Sequence, residues 1–388
     1  MGDADHVVEV AIGRHLERPG AVELLAASRL RGRDRPSLGK PPILLRLKGD
    51  ARHLIVVDLS GAFFRGAVVN LRGEVRHAVS LPRDGRSGAA ALELVCALLD
   101  RLVSEAGAPL LGVGIGTPGL IDFERGSQVH WAVNLDWLDV PLRDLLQARY
   151  GLPVHVLNDS QAAAMGEYFF GASHPTGNLV VIKCEEGLGA GVVLDGRLFH
   201  GDNFGAGEIG HLVFSQAGLL CRCGNTGCLE TVASASAIVR AVRAAAAADP
   251  RSILHDTASR DLSLAMDQVC DAYAAGDMTV HGVVLEAGRC LGLAIATLVG
   301  TLNVRDIVIA GEVTRLGQPL LTIVRQEVLA RSLAALANAT RVEFSAIGSE
   351  ITALGAAAVL LHAELGIWPF RRTPGHALSG KHVLGRIG

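Results

Sequence analysis

Aromatic residues and excess charge are both scarce in this chain. Only 4% of its 388 residues are Phe, Trp or Tyr, whereas 49% are hydrophobic, so we expect a core packed mainly with aliphatic side chains. The formal net charge is −3, and the chain as a whole therefore has no bias towards nucleic acid or membrane surfaces. At this length we expect two or more domains, each with its own core.

A disulfide pattern and a membrane-spanning segment are also missing from the sequence. Four of the seven cysteines lie singly within apolar runs and are expected to be reduced core residues: Cys96, Cys184, Cys270 and Cys290. We recognise no signal peptide, and no uncharged apolar run is long enough to span a bilayer. These absences predict a cytoplasmic protein that does not engage a membrane.

The other three cysteines are concentrated between residues 205 and 230. Cys221, Cys223 and Cys228 follow His211 in the pattern H-x9-C-x-C-x4-C. Three thiolates and one imidazole form a closed tetrahedral set for zinc, which is typical of structural sites rather than of sites that activate water. Glycines between the cysteines would allow the tight turn that the set requires. The alternative is a loop of buried free thiols.

Two further patterns concern the sheets. Apolar hairpins at 53–75 and 179–198 have similar patterns and predict an internal duplication. The run at 154–159 reads as a strand that ends in Asn158 and Asp159, followed by a helix. A carboxylate at the C-terminal end of such a strand is well placed for a ligand. The simpler reading is that Asp159 is the N-cap of the helix, and the two roles do not exclude each other.

Several motifs together resemble the ROK family of repressors and sugar kinases. They are G-T-P-G-L-I-D at 116–122, N-L-D-W at 134–137, G-E-I-G-H at 207–211 and C-R-C-G-N-T-G-C-L-E at 221–230. They occur in the family order, and the resemblance extends over roughly residues 28–368. It implies an α/β chain with the two-lobed, actin-like fold of sugar kinases, related to ribonuclease H, and a sugar in the cleft between the lobes.

The same resemblance implies a set of sugar-binding residues. Carried over by position, they are Gly119, Asn134, Asn158, Asp159, Glu208, His211 and Glu230. His211 would ligate zinc through one ring nitrogen and face the sugar with the other. In a kinase of this family, Asp159 would be the catalytic base that accepts the proton of the attacked hydroxyl.

The nucleotide side of the cleft departs from the kinase pattern. The residues that match its phosphate loops and adenosine turn are Asp58, Gly61, Gly187, Gly189 and Gly311. However, Ser60 replaces a glycine, Ala62 replaces the threonine, and Glu186 brings a carboxylate to the second loop. Negative charge facing a triphosphate is unfavourable unless a metal intervenes, so ATP and Mg²⁺ are expected only if the protein is a kinase.

The N-terminal residues 1–50 are expected to form a partial winged helix-turn-helix or a basic arm. Eight basic residues face only two acidic ones between 29 and 52, and G-K-P-P-I-L-L-R-L at 39–47 resembles the end of the winged helix in ROK regulators. Helices are predicted over 7–17 and 21–30. A solvated basic linker is the alternative.

The remaining domain boundaries follow from the resemblance. We expect a first lobe at 51–157, which the C-terminal helix at 350–368 joins, a second lobe with the zinc loop at 158–349, and a tail at 369–388.

The favoured function is a sugar-responsive transcriptional regulator that acts as a homodimer or dimer of dimers and binds DNA through its N-terminal arm. An ATP-dependent hexose or amino-sugar kinase is the alternative. A sugar-binding protein with neither activity is the third hypothesis.

Overall fold

The structure is a computed structural model that describes residues 25–28, 44–47, 49–71, 73–172, 177–260 and 262–366. The predicted helix at 7–17 and the tail at 369–388 lie outside these residues. Two short strands, β1 (Leu25–Ser28) and β2 (Leu44–Leu47), pair antiparallel. The helix predicted over 21–30 is therefore wrong at 25–28, because pairing with a second strand overrides a weak local preference for helix. The winged helix stays a prediction.

The first lobe is built on a five-stranded sheet with the order β10-β6-β3-β4-β5. Its strands are β3 (His53–Asp58), β4 (Phe63–Asn70), β5 (Val75–Pro82), β6 (Leu110–Thr117) and β10 (Val154–Asn158). Helices α1 (Gly88–Ser104) and α2 (Leu142–Tyr150) cover its outer face. A small sheet of β7 (Leu120–Asp122), β8 (Gln128–Ala132) and β9 (Trp137–Val140) adjoins it.

The second lobe repeats this arrangement with the order β13-β12-β11-β14-β15. Its strands are β11 (Leu179–Cys184), β12 (Leu188–Leu194), β13 (Arg197–Leu198), β14 (Asp306–Ala310) and β15 (Arg341–Phe344). In both sheets the central strand has an antiparallel meander on one side and two parallel strands on the other. This confirms the duplication predicted from the two hairpins and the two-lobed α/β fold.

Two helices, α3 (Asp159–Phe170) and α11 (Ile351–Leu365), pack together between the sheets. Their backbones touch at glycines: a Cβ on Gly355 would lie 1.7 Å from the carbonyl oxygen of Ala162, and one on Gly166 would lie 2.2 Å from that of Ile351. Helix α11 also contacts β3, β6 and β10, so the C-terminal helix returns to the first sheet. The exact domain limits stay predictions.

In the part of the second lobe that the structure describes, seven α-helices complete the fold. They are α4 (Glu230–Ala233), α5 (Ala235–Ala248), α6 (His255–Ser259), α7 (Met266–Ala274), α8 (Met278–Leu302), α9 (Gly317–Arg331) and α10 (Ala334–Ala339). Among the described residues, α8 is the one helix long and apolar enough to cross a membrane. Its residues Ile295 and Val299 are fully buried in the core of the lobe, so the structure accounts for its apolar character by packing.

Candidate functional site

A cavity of about 310 Å³ lies between the two lobes. The structure brings all seven predicted sugar-binding residues to its wall: Gly119, Asn134, Asn158, Asp159, Glu208, His211 and Glu230. They come from loops at the ends of strands in both lobes and from the start of α3. Residues more than 100 positions apart in sequence therefore meet at one edge, as expected where the C-terminal ends of parallel strands face a crevice.

The start of α3 separates the roles of its two polar residues. The N-cap is Asn158, whose Oδ1 accepts hydrogen bonds from the backbone N–H of Ser160 at 2.9 Å and of Gln161 at 3.1 Å. The alternative in which Asp159 caps the helix is therefore wrong. Because the cap is satisfied by its neighbour, the Asp159 carboxylate is free to line the cavity, where Oδ2 accepts from Lys183 Nζ at 3.0 Å.

Gly119 holds the other end of the Asn158 amide. Asn158 Nδ2 donates to the Gly119 carbonyl at 3.0 Å, which leaves one N–H of that amide for a ligand. Gly119 itself has φ +102°, and a Cβ there would lie 2.5 Å from the carbonyl oxygen of Trp131. Only glycine fits this turn without displacing backbone at the cavity wall.

Two arginines fix the orientation of Asn134. Arg222 Nη1 donates to Asn134 Oδ1 at 3.1 Å, and Arg83 Nη1 donates to the Asn134 carbonyl at 3.2 Å. With its oxygen engaged, the Asn134 amide presents its Nδ2 beside Gly187 and Glu230. Asn134 is thus placed as a hydrogen-bond donor to a ligand.

Glu208 and Glu230 supply acceptors from the second lobe. Burial, together with the nearby carboxylates of Asp159 and Glu230, raises the pKa of Glu208 to about 7. Burial also raises the pKa of Glu230, whose Oε2 accepts from the backbone N–H of Leu188 at 3.0 Å. Partly dehydrated carboxyl groups that face a cavity are stabilised by hydroxyl donors, which a polyol supplies.

The predicted metal ligands form one cluster. The ligand atoms of His211, Cys221, Cys223 and Cys228 all lie within 4.8 Å of one another. Cys221 Sγ is 3.7 Å from His211 Nδ1, and Cys223 Sγ is 3.6 Å from Cys228 Sγ. Tetrahedral bonds of about 2.0–2.3 Å place ligand atoms at similar separations, so the set fits a tetrahedral metal ion.

The His211 ring joins this cluster to the cavity. Its Nδ1 faces the thiols, while Nε2 lies 3.8 Å from Glu208 Oε2 at the cavity wall. The loop that carries the thiols needs a left-handed turn at Gly227, where φ is +75° and a Cβ would lie 1.6 Å from the Ser215 carbonyl oxygen. The loop fold therefore sets the position of a side chain that faces the ligand.

The residues matched to a nucleotide site do not all lie at a cavity wall, unlike the seven predicted sugar-binding residues. Gly61, Gly187 and Gly189 line the 310 Å³ cavity, whereas Asp58 and Gly311 line neither this cavity nor its neighbour. Gly189 packs against α3, since a Cβ there would lie 2.6 Å from Ser160 Oγ. Gly311, at φ +92°, lies against the Cys184 carbonyl, which a Cβ would approach to 2.4 Å. Close packing thus explains these two glycines without a phosphate.

A second cavity, of about 690 Å³, is lined by Gly61, Ala62 and Phe63 of the loop matched to a kinase phosphate loop, and is called the nucleotide-side cavity for that reason. Glu186 lines both cavities. Glu186 Oε1 pairs with Arg83 Nη2 at 2.8 Å and with Arg222 Nη1 at 3.2 Å. Arg83 belongs to the first lobe and Arg222 to the Cys/His loop of the second. This ion pair therefore bridges the cleft at the boundary between the two cavities.

Sequence reasoning missed Lys183, Arg83 and Arg222. The signal for Lys183 was available, because a lysine within a buried apolar strand needs charged partners. The partners of Arg83 and Arg222 could not be predicted from the sequence, since they depend on how the two lobes face each other.

Comparison with known proteins identifies the family. The model of the ROK family matches residues 54–363. A glucokinase from Halalkalibacterium halodurans is 35% identical over 78% of this chain and 93% of its own length, and a xylose repressor from Caldicellulosiruptor bescii is 30% identical over 83% and 82%. The crystal structure of a ROK family transcriptional regulator, a homologue of the E. coli Mlc protein, superposes with a TM-score of 0.75 at 29% identity and covers 91% of this chain and 87% of its own. The chain belongs to the ROK family.

Proposed function

We propose that the protein is a sugar-responsive transcriptional regulator that binds a monosaccharide in the 310 Å³ cavity. Acceptors from Asp159, Glu208 and Glu230 and donors from Asn134 and Asn158 face the same space, which suits the ring hydroxyls of a polyol. Sugar that contacts both lobes would favour their closed arrangement and thereby shift the DNA-binding state of a cytoplasmic homodimer.

The observation that carries the choice of a regulator is the Glu186 bridge. In a kinase the second glycine loop must approach phosphates, whereas here a carboxylate occupies its start and is paired with Arg83 and Arg222. Phe63, 43% exposed, also lines the nucleotide-side cavity. Because both arginines are already paired with the protein's own carboxylate, we infer that this loop disfavours Mg-ATP.

The Cys/His cluster is proposed to hold a structural zinc ion. The donors are three sulfurs and one imidazole nitrogen, which zinc favours, and they form a closed set with no ligand position left for water. The ion would fix the His211 ring, so that its second nitrogen keeps its direction towards the cavity.

A sugar kinase is the second candidate, and the placement of Asp159 favours it. The carboxylate lines the 310 Å³ cavity and does not cap the helix. A general base must likewise face the bound substrate with a free carboxylate. A kinase needs glycine loops that bind Mg-ATP, whereas a regulator does not need to bind a nucleotide.

Two assays separate these candidates. The regulator should bind DNA from its own upstream region in a salt-sensitive manner, release or tighten on it when the sugar is added, and lose binding when residues 1–50 are deleted. Phosphate transfer from ATP to a panel of hexoses should be absent. Transfer that Asp159→Asn abolishes would instead establish the kinase, and sugar binding with neither DNA binding nor transfer would support the third hypothesis.

A further inference from the structure

Lys183 is a buried cation at the point where the two lobes meet. Its side chain is 2% exposed, and it is the last residue but one of β11, whose six residues are all buried. Around the ammonium are Asp159 Oδ2 at 3.0 Å, Glu185 Oε2 at 3.4 Å and Asp58 Oδ2 at 3.8 Å. It also donates to the hydroxyl of Ser60. One cation therefore faces three carboxylates.

The partners decide the charge of this group. Burial alone would lower the pKa of the Lys183 ammonium, but the carboxylates of Asp159, Asp58 and Glu185 outweigh it and raise the pKa above its ordinary value. Burial raises the pKa of Asp58, whose Oδ2 has no hydrogen-bond partner among the described residues. The ammonium thus stays charged, while the carboxylates around it are not fully compensated.

The group also connects all three layers of the molecule. Asp58 and Ser60 lie at and just after the end of β3 in the first lobe, Glu185 follows β11 in the second, and Asp159 begins the helix between the sheets. We propose that Lys183 is the built-in cation of the cleft: it occupies the place that a divalent metal ion would need among these carboxylates, and it ties the lobes together so that sugar binding needs no metal ion at this point. This inference rests on the proposed sugar-binding function.

Removal of the ammonium makes a definite chemical prediction. Three carboxylates that converge on one point with a serine hydroxyl form an all-oxygen set, which is the type that Mg²⁺ and Mn²⁺ prefer. Lys183→Met should therefore convert a site that has no need of a divalent ion into one that binds it. Lys183→Arg keeps the positive charge and should not.

The test compares the thermal unfolding of wild type, Lys183→Met and Lys183→Arg, with one equivalent of zinc and increasing Mg²⁺ or Mn²⁺. We expect the midpoint of Lys183→Met to rise with the ion and to saturate, while the other two proteins show no saturable rise. The same rise in wild type, or none in Lys183→Met, would overturn the proposal. If Lys183→Met fails to fold without added metal, the readout becomes recovery of its fold by Mg²⁺, and failure to recover would overturn the proposal equally.

A sugar titration tests whether Lys183 positions the residues of the sugar cavity or only stabilises the fold. Lys183→Met should bind sugar at least tenfold more weakly without divalent ions, and Mg²⁺ should restore much of the loss, whereas Lys183→Arg should keep most of the affinity. A loss that Mg²⁺ leaves unchanged, although the ion binds, would remove the positioning role. Because the metal titration needs no sugar, its failure is distinguishable from a failure of wild type to bind any sugar.

Discussion

Single residues in the cleft matter through the atoms that they leave free. Asn158 gives its oxygen to the start of α3 and one N–H to Gly119, so the ligand receives only what remains. Asp159, one position later, keeps a carboxylate that lines the cavity. The difference arises from a single hydrogen-bonded cap, and it shows why neighbouring polar residues in one motif need not share a role.

Gly119→Ala tests the cavity wall. A side chain at φ +102° is strained, and its Cβ would lie 2.5 Å from the Trp131 carbonyl oxygen, so we expect a loss of about 1–3 kcal/mol in the free energy of unfolding. Sugar affinity should fall at least about tenfold because the carbonyl that holds Asn158 moves. Denaturation and calorimetric titration measure the two effects.

The matched control is Gly282→Ala at an exposed position in the second turn of α8, where a Cβ would meet no atom of the described residues within 4 Å. It should stabilise the protein by about 0.5–1 kcal/mol and leave sugar affinity unchanged. If Gly119→Ala and Gly282→Ala changed stability and sugar affinity equally, the cavity wall at Gly119 would not be rigid.

Among the elements, the Cys/His loop has the most direct link to the cavity. Its four ligand atoms lie within 4.8 Å of one another, and one of them belongs to the ring that faces Glu208. A loop with little apolar core of its own would depend on the proposed metal ion for a defined shape.

Cys228→Ser should lower zinc content from one equivalent to well below one. It should also cost about 3 kcal/mol or more in stability and weaken sugar binding, because His211 loses its anchor. Metal analysis, denaturation and sugar titration check these three results. The control, Cys290→Ser in α8, lies outside the cluster and should change neither the zinc content nor the sugar affinity. Full zinc content in Cys228→Ser would refute the ligand set.

Asp277, the N-cap of α8, should make the stability of the protein depend on pH. Burial by itself would raise the pKa of Asp277, but hydrogen bonds from Ser252 and from the backbone N–H of Val280, Ile253 and Thr279 outweigh it and hold the pKa below its ordinary value of 3.8. The stability that these bonds contribute is therefore complete above the unfolded-state pKa and is lost as the pH falls through the folded-state pKa.

Asp277→Asn should thus destabilise the protein by about 1–3 kcal/mol at pH 7. The difference from wild type should stay constant down to about pH 5 and shrink below about pH 4. Urea denaturation as a function of pH measures this difference. If the difference in unfolding free energy between wild type and Asp277→Asn grew as the pH fell, the predicted direction of the pH dependence would be wrong.

At the scale of the whole molecule, two lobes with the same strand order face each other across charged bridges. Arg83 and Glu186 join the lobes with side chains that are 11% and 19% exposed. The same arginine holds the carbonyl of Asn134, so the contact between the lobes is coupled to the geometry of the proposed sugar site.

Glu186→Gln weakens this bridge and should cost about 1–3 kcal/mol in stability. Sugar affinity should fall as well, because Arg83 and Arg222 no longer hold Asn134 in place. Glu124→Gln, at an exposed position, is the control and should change neither quantity. Unchanged sugar affinity in Glu186→Gln would separate the bridge from the sugar site.

The sequence predicted the parts of the site that follow from local spacing or from motifs in order. The Cys/His cluster and the seven residues at the cavity wall are examples, and the similar hairpins revealed the duplicated sheets. The strand at 25–28 and the ion partners of Lys183 and Glu186 were not predictable, because each depends on a segment that is distant in sequence. Local patterns do not encode how two lobes face each other.

The most direct test of the central claim is calorimetric titration of a panel of hexoses, pentoses and amino sugars into the wild-type protein without nucleotide or Mg²⁺. The account predicts that at least one sugar binds one-to-one and that Glu230→Gln, which alters a carboxylate at the cavity wall, loses most of this affinity. Binding of no sugar unless Mg-ATP is present would contradict it.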